Sequence, residues 1–242
     1  MECYTDADLF LPHGGFVQPV GQADAPNVAP LTCALCTQEI MEELLGRLNA
    51  EFDESEGWIR IVDADWMADD LRLSLSVLFY EDAEPELWEV SCFGVAEESL
   101  SSKGVETLSI SSESPLLKIF TEPEVELMFS ENACVPAFLL GVVCTSCVEI
   151  LGRAEYIQRF LNQASTVGGI VNSRYGQLGR FPESIAARII DALNGQPIRI
   201  KALPGRMPKR WNGTEFISYP ALKALEIGKS YVIAEQFSAV RA

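Results

Sequence analysis

Seven cysteines, one histidine and 35 carboxylates are the residues of this chain with the clearest potential for chemistry. Four of the cysteines form two C-x-x-C pairs, Cys33–Cys36 and Cys144–Cys147. That spacing lets two thiolates share a tetrahedral zinc ion. Both pairs, however, sit in or at the head of apolar helical patterns and lack the flanking glycines of zinc turns. A free cysteine packs well as a small hydrophobe. The expectation is therefore packing, with no cofactor and no metal. If zinc is held, its ligands are Cys33, Cys36, Cys144 and Cys147. A redox role is disfavoured because no βαβ pattern surrounds either pair.

The single histidine, His13, lies in Pro12-His13-Gly14-Gly15, and no G-x-S-x-G elbow occurs. Hydrolytic triads and histidine-ligated metal sites therefore lack their parts. With so many acids, chance carboxylate pairs are unavoidable, and none stands out as a glycosidase pair. No catalytic residue is assigned. Gly228-Lys229-Ser230 resembles the end of a phosphate-binding loop, but the glycine required five positions earlier is Lys223.

The acids are more informative as a surface. Asp63, Asp65, Asp69 and Asp70 surround Trp66 and Met67. The segment has no EF-hand pattern, and it suits an aromatic anchor set among charges that steer a basic partner. A second group, Glu81, Asp82 and Glu84, precedes Trp88. These nine residues, Trp66 and Trp88 included, are the candidate partner-binding set.

The chain has 242 residues and a formal net charge of −17, with a pI near 4.4. The first 132 residues hold 28 of the 35 acids and 5 of the 18 basic residues, a net of −23. The remainder hold 7 and 13, a net of +6. Such an asymmetry shapes surface fields. The local basic group Arg199, Lys201, Arg206, Lys209 and Arg210, beside Trp211, is expected to lie against the acidic half or face solvent. Direct nucleic-acid binding is disfavoured by the overall charge.

The elements that must position these residues follow from periodicity. Residues 1–30 are rich in Pro and Gly and read as an irregular lead-in. Cys33, Cys36, Ile40, Leu44, Leu45 and Leu48 recur at helical spacing, with Glu43 and Arg47 placed to pair. Leu71, Leu73, Leu75, Val77 and Phe79 alternate with polar residues as a half-buried strand. Trp58–Val62 is its expected hairpin partner across an Asp63–Asp70 loop. Further strands are expected at Trp88–Cys92, Thr107–Ile110 and Glu124–Phe129, joined by turns too short for parallel crossovers. Beyond residue 133 helices dominate: Val135–Leu151, Glu155–Leu161 and one opened by Pro182. Late strands are expected at Ile198–Ala202 and Tyr231–Phe237.

The fold class expected is α+β: an N-terminal helix and antiparallel meander sheet, then a mostly helical C-terminal part on the same core. The organisation is 1–30 lead-in, 31–132 acidic helix plus sheet, and 133–242 helical and mildly basic, packed as one unit with the sheet. The first residues carry acid and no basic n-region, which argues against a secretory signal. The run Ala133–Val148 is broken by Pro136 and Gly141 and falls short of the ~20 residues that span a bilayer. A cytoplasmic, reducing setting fits the odd cysteine count.

The acidic charge resembles that of the cytoplasmic immunity proteins of bacterial polymorphic-toxin systems. So do the strand Leu87-Trp88-Glu89-Val90-Ser91-Cys92-Phe93-Gly94-Val95, the later Ser114-Pro115-Leu116-Leu117, and the closing Gly228-Lys229-Ser230-Tyr231-Val232-Ile233-Ala234-Glu235. The likeness is one of general style over residues 55–240. It implies a non-enzymatic inhibitor that neutralises a basic toxin or nuclease, with no catalytic residues to carry over. The alternatives are an enzyme with carboxylate-based chemistry and a four-cysteine, zinc-stabilised regulatory protein.

Overall fold

The alternation around Leu73 forms the middle of the structure. Leu71, Leu73, Leu75 and Val77 are buried on one face of a nine-residue strand, and their neighbours Arg72 and Ser74 are not. The computed structural model describes residues 34–81, 83–162 and 167–242, all within one unit, residues 33–242. The lead-in with His13, Cys33, the side chain of Cys36, and Asp82 lie outside the described residues.

The strands are β1 (Trp58–Met67), β2 (Asp70–Leu78), β3 (Glu86–Phe93), β4 (Glu97–Ser99), β5 (Leu108–Ser111), β6 (Glu124–Ser130), β7 (Gly176–Pro182), β8 (Arg199–Arg206), β9 (Lys209–Trp211), β10 (Phe216–Ser218), β11 (Lys223–Ile227), β12 (Ser230–Ala234) and β13 (Gln236–Arg241). The helices are α1 (Ala34–Glu51), α2 (Lys118–Thr121), α3 (Pro136–Leu151), α4 (Ile157–Phe160), α5 (Val167–Asn172) and α6 (Glu183–Leu193).

Among the described residues the strands make four antiparallel sheets, ordered β1-β2-β3-β13, β4-β12-β11-β5, β7-β6-β8 and β9-β10. The first two close on each other. β3 runs on into β4, and β12 into β13, so each path serves both sheets. Ile59 and Val105 exchange backbone hydrogen bonds of 2.7 and 2.9 Å and join β1 to the segment before β5. The result is a barrel-like circuit with few free edges, one way of protecting strands from stray pairing. Its interior holds Leu73, Leu75, Trp88, Val90, Leu225 and Val232, and α1 contributes Met41 and Leu44.

A second core lies on the opposite face of β11 and β12. Ala224, Tyr231 and Ile233 pack there with Val143 and Cys147 of α3, Ile185 and Ile189 of α6, and Phe181 of β7. The β4-β12-β11-β5 sheet is thus covered on both faces. That explains why all five residues of β12 are buried and why Tyr231 to Ala234 follow one another without a charged or small polar residue, as expected for doubly covered strands.

The expected α+β plan is overturned. Among the described residues strand outweighs helix, and the part after residue 133 is not mostly helical: it supplies seven of the 13 strands described. The meander holds only for β1-β2-β3; β5 pairs with β11, and β6 with β7 and β8. The acidic loop is also corrected. β1 continues to Met67, and only Ala68 and Asp69 turn the chain. Arg47 bonds Glu51 and Glu86 (2.8 and 2.5 Å) rather than Glu43. Ser76, expected to face outward, is buried, flanked in register by the larger Arg60 and Leu87.

The facing of β2 leads to a stability prediction. Leu75→Ala is expected to cost about 2–5 kcal/mol in denaturant unfolding, as buried leucine truncations do, and Ser74→Ala under about 0.5 kcal/mol. Equal costs would show that the two faces of β2 are misassigned.

Candidate functional site

The β1–β2 hairpin carries the acidic tip, and a bulge sets its chemistry. Ile59 and Ile61 pair with Val77 and Leu75 on the core face; Val62 is then skipped, and Asp63 faces Ser74. With strict alternation Asp63 and Asp65 would follow Ile61 to the inner face. The extra residue reverses the phase, as one-residue slips do. Asp63 and Asp65 are exposed, and Ala64 and Trp66 take the register positions opposite Leu73 and Leu71. At the tip there is little core left to cover the indole. Trp66 is 53% exposed and Met67 56%.

The tip is tied down from below. Asp70 Oδ1 accepts a hydrogen bond from the Gly94 amide (2.9 Å), and the Asp69 carbonyl accepts one from the Val95 amide (2.9 Å). Both donors lie at the corner where β3 becomes β4. Gly94 has φ 62° there, and a Cβ would meet the Glu235 side chain at 2.6 Å. Only glycine fits that corner without displacing its neighbour. Asp70 therefore serves architecture. Ala68, by contrast, holds φ 57° in the turn, a left-handed conformation that costs a residue with a Cβ about 1–2 kcal/mol. Ala68→Gly is expected to raise stability by up to about 1 kcal/mol, after its larger unfolded-state entropy is subtracted. A lower urea midpoint for this variant would contradict the strained turn.

The second acidic group is not part of this tip. Glu81 and Glu84 are exposed in the β2–β3 connection, at the far end of a strand roughly 30 Å long. Trp88 is only 1% exposed, and its indole N–H donates to Glu86 Oε2 (3.3 Å). It belongs to the barrel core and cannot touch a partner. Asp82 lies outside the described residues. The eight described candidates thus divide into an exposed tip (Asp63, Asp65, Trp66, Asp69), a structural cap (Asp70), a distant acidic pair (Glu81, Glu84) and a core tryptophan (Trp88).

Facing the tip across a groove of about 530 Å³ is the β9–β10 hairpin; Asp69, Val95, Ala96, Arg210, Trp211 and Tyr219 contribute to the lining. Trp211 (56% exposed) and Phe216 (64% exposed) meet edge to face at 5.1 Å across this hairpin. Asn212 Oδ1 accepts from the Thr214 and Glu215 amides and shapes its turn. Arg210 pairs with Glu235 at 2.7 Å, which anchors the hairpin to the same corner that holds Asp70. The sequence had drawn attention to Trp211 through its basic neighbours; Phe216 was missed. The available signal was a pair of aromatics flanking Asn-Gly, a hairpin signature.

The thiols and the other polar cluster offer less. Cys144 and Cys147 lie on α3, and Cys147 is fully buried; burial pushes its thiol up to about 12, away from the thiolate that metals require. Among the described residues no group of three His, Cys, Asp or Glu side chains could hold a metal. Elsewhere, Tyr156 donates to Tyr231 (2.5 Å), Tyr231 donates to Glu97 (2.9 Å), and Arg159 also pairs with Glu97. Burial holds the Tyr156 phenol well above its usual range. Each member has a partner, so this chain of bonds acts as a clamp between β4, β12 and the α4 segment. Gly228-Lys229-Ser230 lies at the two-residue turn between β11 and β12, not at the strand-to-helix junction of a phosphate loop.

The β scaffold thus presents two hairpins with exposed aromatics, one acidic and one carrying basic residues, beside one groove. No family model, curated protein or solved structure matches this chain. Among the described residues no helix is long and apolar enough to cross a membrane.

Proposed function

We propose that the protein is a non-enzymatic binder that captures a basic protein, of the kind a toxin or nuclease would be, through the β1–β2 tip. One observation carries this reading: Trp66 and Met67 are each more than half exposed among Asp63, Asp65 and Asp69 on a hairpin fixed by the Asp70 cap. Exposed aromatics backed by rigid backbone make efficient anchors, because little side-chain freedom is lost on binding. Surrounding acids favour encounter with positive surfaces. The Glu81–Glu84 loop adds to the long-range field without joining the contact.

The test is capture from native lysate at low and high salt with the wild-type chain and with Trp66→Ala. The expected result is a basic protein retained at low salt, weakened by salt and lost with Trp66→Ala. Retention that ignores both salt and Trp66, or turnover of a small molecule as the only activity found, defeats the reading.

A further inference from the structure

The two lips of the groove have opposite charge and are both unsatisfied. Asp65 and Asp69 lie on the β1–β2 lip with Trp66 and Met67; Arg206 and Lys209 accompany Trp211 and Phe216 on or just before the β9–β10 lip. Among the described residues none of these four charged side chains has an ion-pair partner; the nearby Arg210 is taken by Glu235. Val62, Trp66, Met67, Met207, Trp211 and Phe216 are all at least 46% exposed. Trp211 lines the groove itself, and the others lie on or next to the two hairpins that border it; exposed apolar side chains concentrated on neighbouring hairpins mark an interaction surface. Among the described residues no ion pair joins the two lips within one chain.

A second copy can satisfy both. A two-fold axis places the acidic lip of one chain against the basic lip of its partner, and the same contact is repeated in reverse. We infer that the free protein forms a two-fold dimer through these hairpins, with Trp66 and Met67 of each copy packed against Trp211 and Phe216 of the other. The opposing consideration is the net charge of −17 on each copy. At about 0.15 M salt the Debye length is about 8 Å, so the distant acids are screened while pairs in contact persist. The dimer covers the tip assigned above to partner capture, so a basic partner must displace the second copy.

Purified full-length protein at about 0.15 M salt provides the test, by sedimentation velocity across a concentration series. Two variants are needed: Asp65→Lys with Asp69→Lys, which makes both lips basic, and Arg206→Glu with Lys209→Glu, which makes both acidic. Wild type is expected to dimerise. Each variant alone is expected to dimerise at least tenfold more weakly, about the effect of one lost contact pair. An equimolar mixture of the two is expected to form a heterodimer, because each lip then meets its opposite. All four charged residues are exposed strand or turn positions, and circular dichroism confirms that each variant is folded. A wild type that stays monomeric at 100 μM, a dimer indifferent to either variant, a mixture that remains monomeric, or open chains larger than a dimer each overturns the inference. Pure protein reports on the dimer alone, and lysate capture on the partner, so either can fail while the other stands.

Discussion

Trp88→Ala is expected to remove about 3–5 kcal/mol of stability, the cost of truncating a large buried aromatic. For a domain whose total stability is about 5–15 kcal/mol, that is a large fraction. The indole is 1% exposed and sits in register between Leu75 of β2 and Arg241 of β13. Its loss opens a cavity in the centre of the barrel circuit, where α1, β2, β3 and β13 share one core. It also removes a donor from Glu86, which holds Arg47 at 2.5 Å and Arg241 at 3.0 Å. Trp88→Phe keeps most of the volume and is expected to cost about 1–2 kcal/mol, the lost hydrogen bond and a small void together. Trp66→Ala, by contrast, should change the unfolding free energy by less than about 1 kcal/mol, because half of the residue already faces water. The readout is denaturant unfolding followed by circular dichroism. If Trp66 proves the costlier of the two, the inner and outer faces of the barrel have been exchanged.

The contrast between these tryptophans shows what the chain reveals before folding. Each lies near acids, and on that basis they look alike. What separates them is period. Trp88 alternates in phase with Val90 and Cys92, an inward row that could have been read from the sequence. Trp66 lies beyond a bulge at Val62, and no composition cue marks that bulge. The alternation of β2, the run of α3 and the proline-opened α6 were legible because each follows one period over many residues. β7 was not. Its sequence, Gly176 to Pro182, looks like an interruption, yet Gly179 is there because a Cβ would come within 2.1 Å of the Phe160 carbonyl oxygen. β12 and β13 were read as one strand because nothing local signals that the path changes sheets at Glu235. The groove itself joins residues 69 and 211, and a relation over that separation exists only after the barrel circuit has closed.

Partner association provides the other large expected effect. Asp65→Asn with Asp69→Asn should lower the on-rate for a basic partner about tenfold at low ionic strength, the lower end of the range for focused fields. The difference should shrink as the Debye length falls from about 30 Å at 0.01 M salt to about 8 Å at 0.15 M. The off-rate should hardly move, because exposed rim charges act mainly before contact. Trp66→Ala should act in reverse. Its loss takes an anchor from the interface, and a hot-spot cost of about 2 kcal/mol corresponds to an off-rate raised roughly 30-fold. Asp70→Ala separates architecture from recognition. Its carboxylate holds the Gly94 amide, so its removal should loosen the tip and cost about 1.5–3 kcal/mol, as losing a charged hydrogen bond does. Because the same acids sit at the proposed self-contact, the kinetics belong at protein concentrations where sedimentation shows monomer. Charge that acts on approach and an indole that acts on departure are separable by rate alone. Should both variants change only the off-rate, the acids contact the partner directly and the long-range field plays no part.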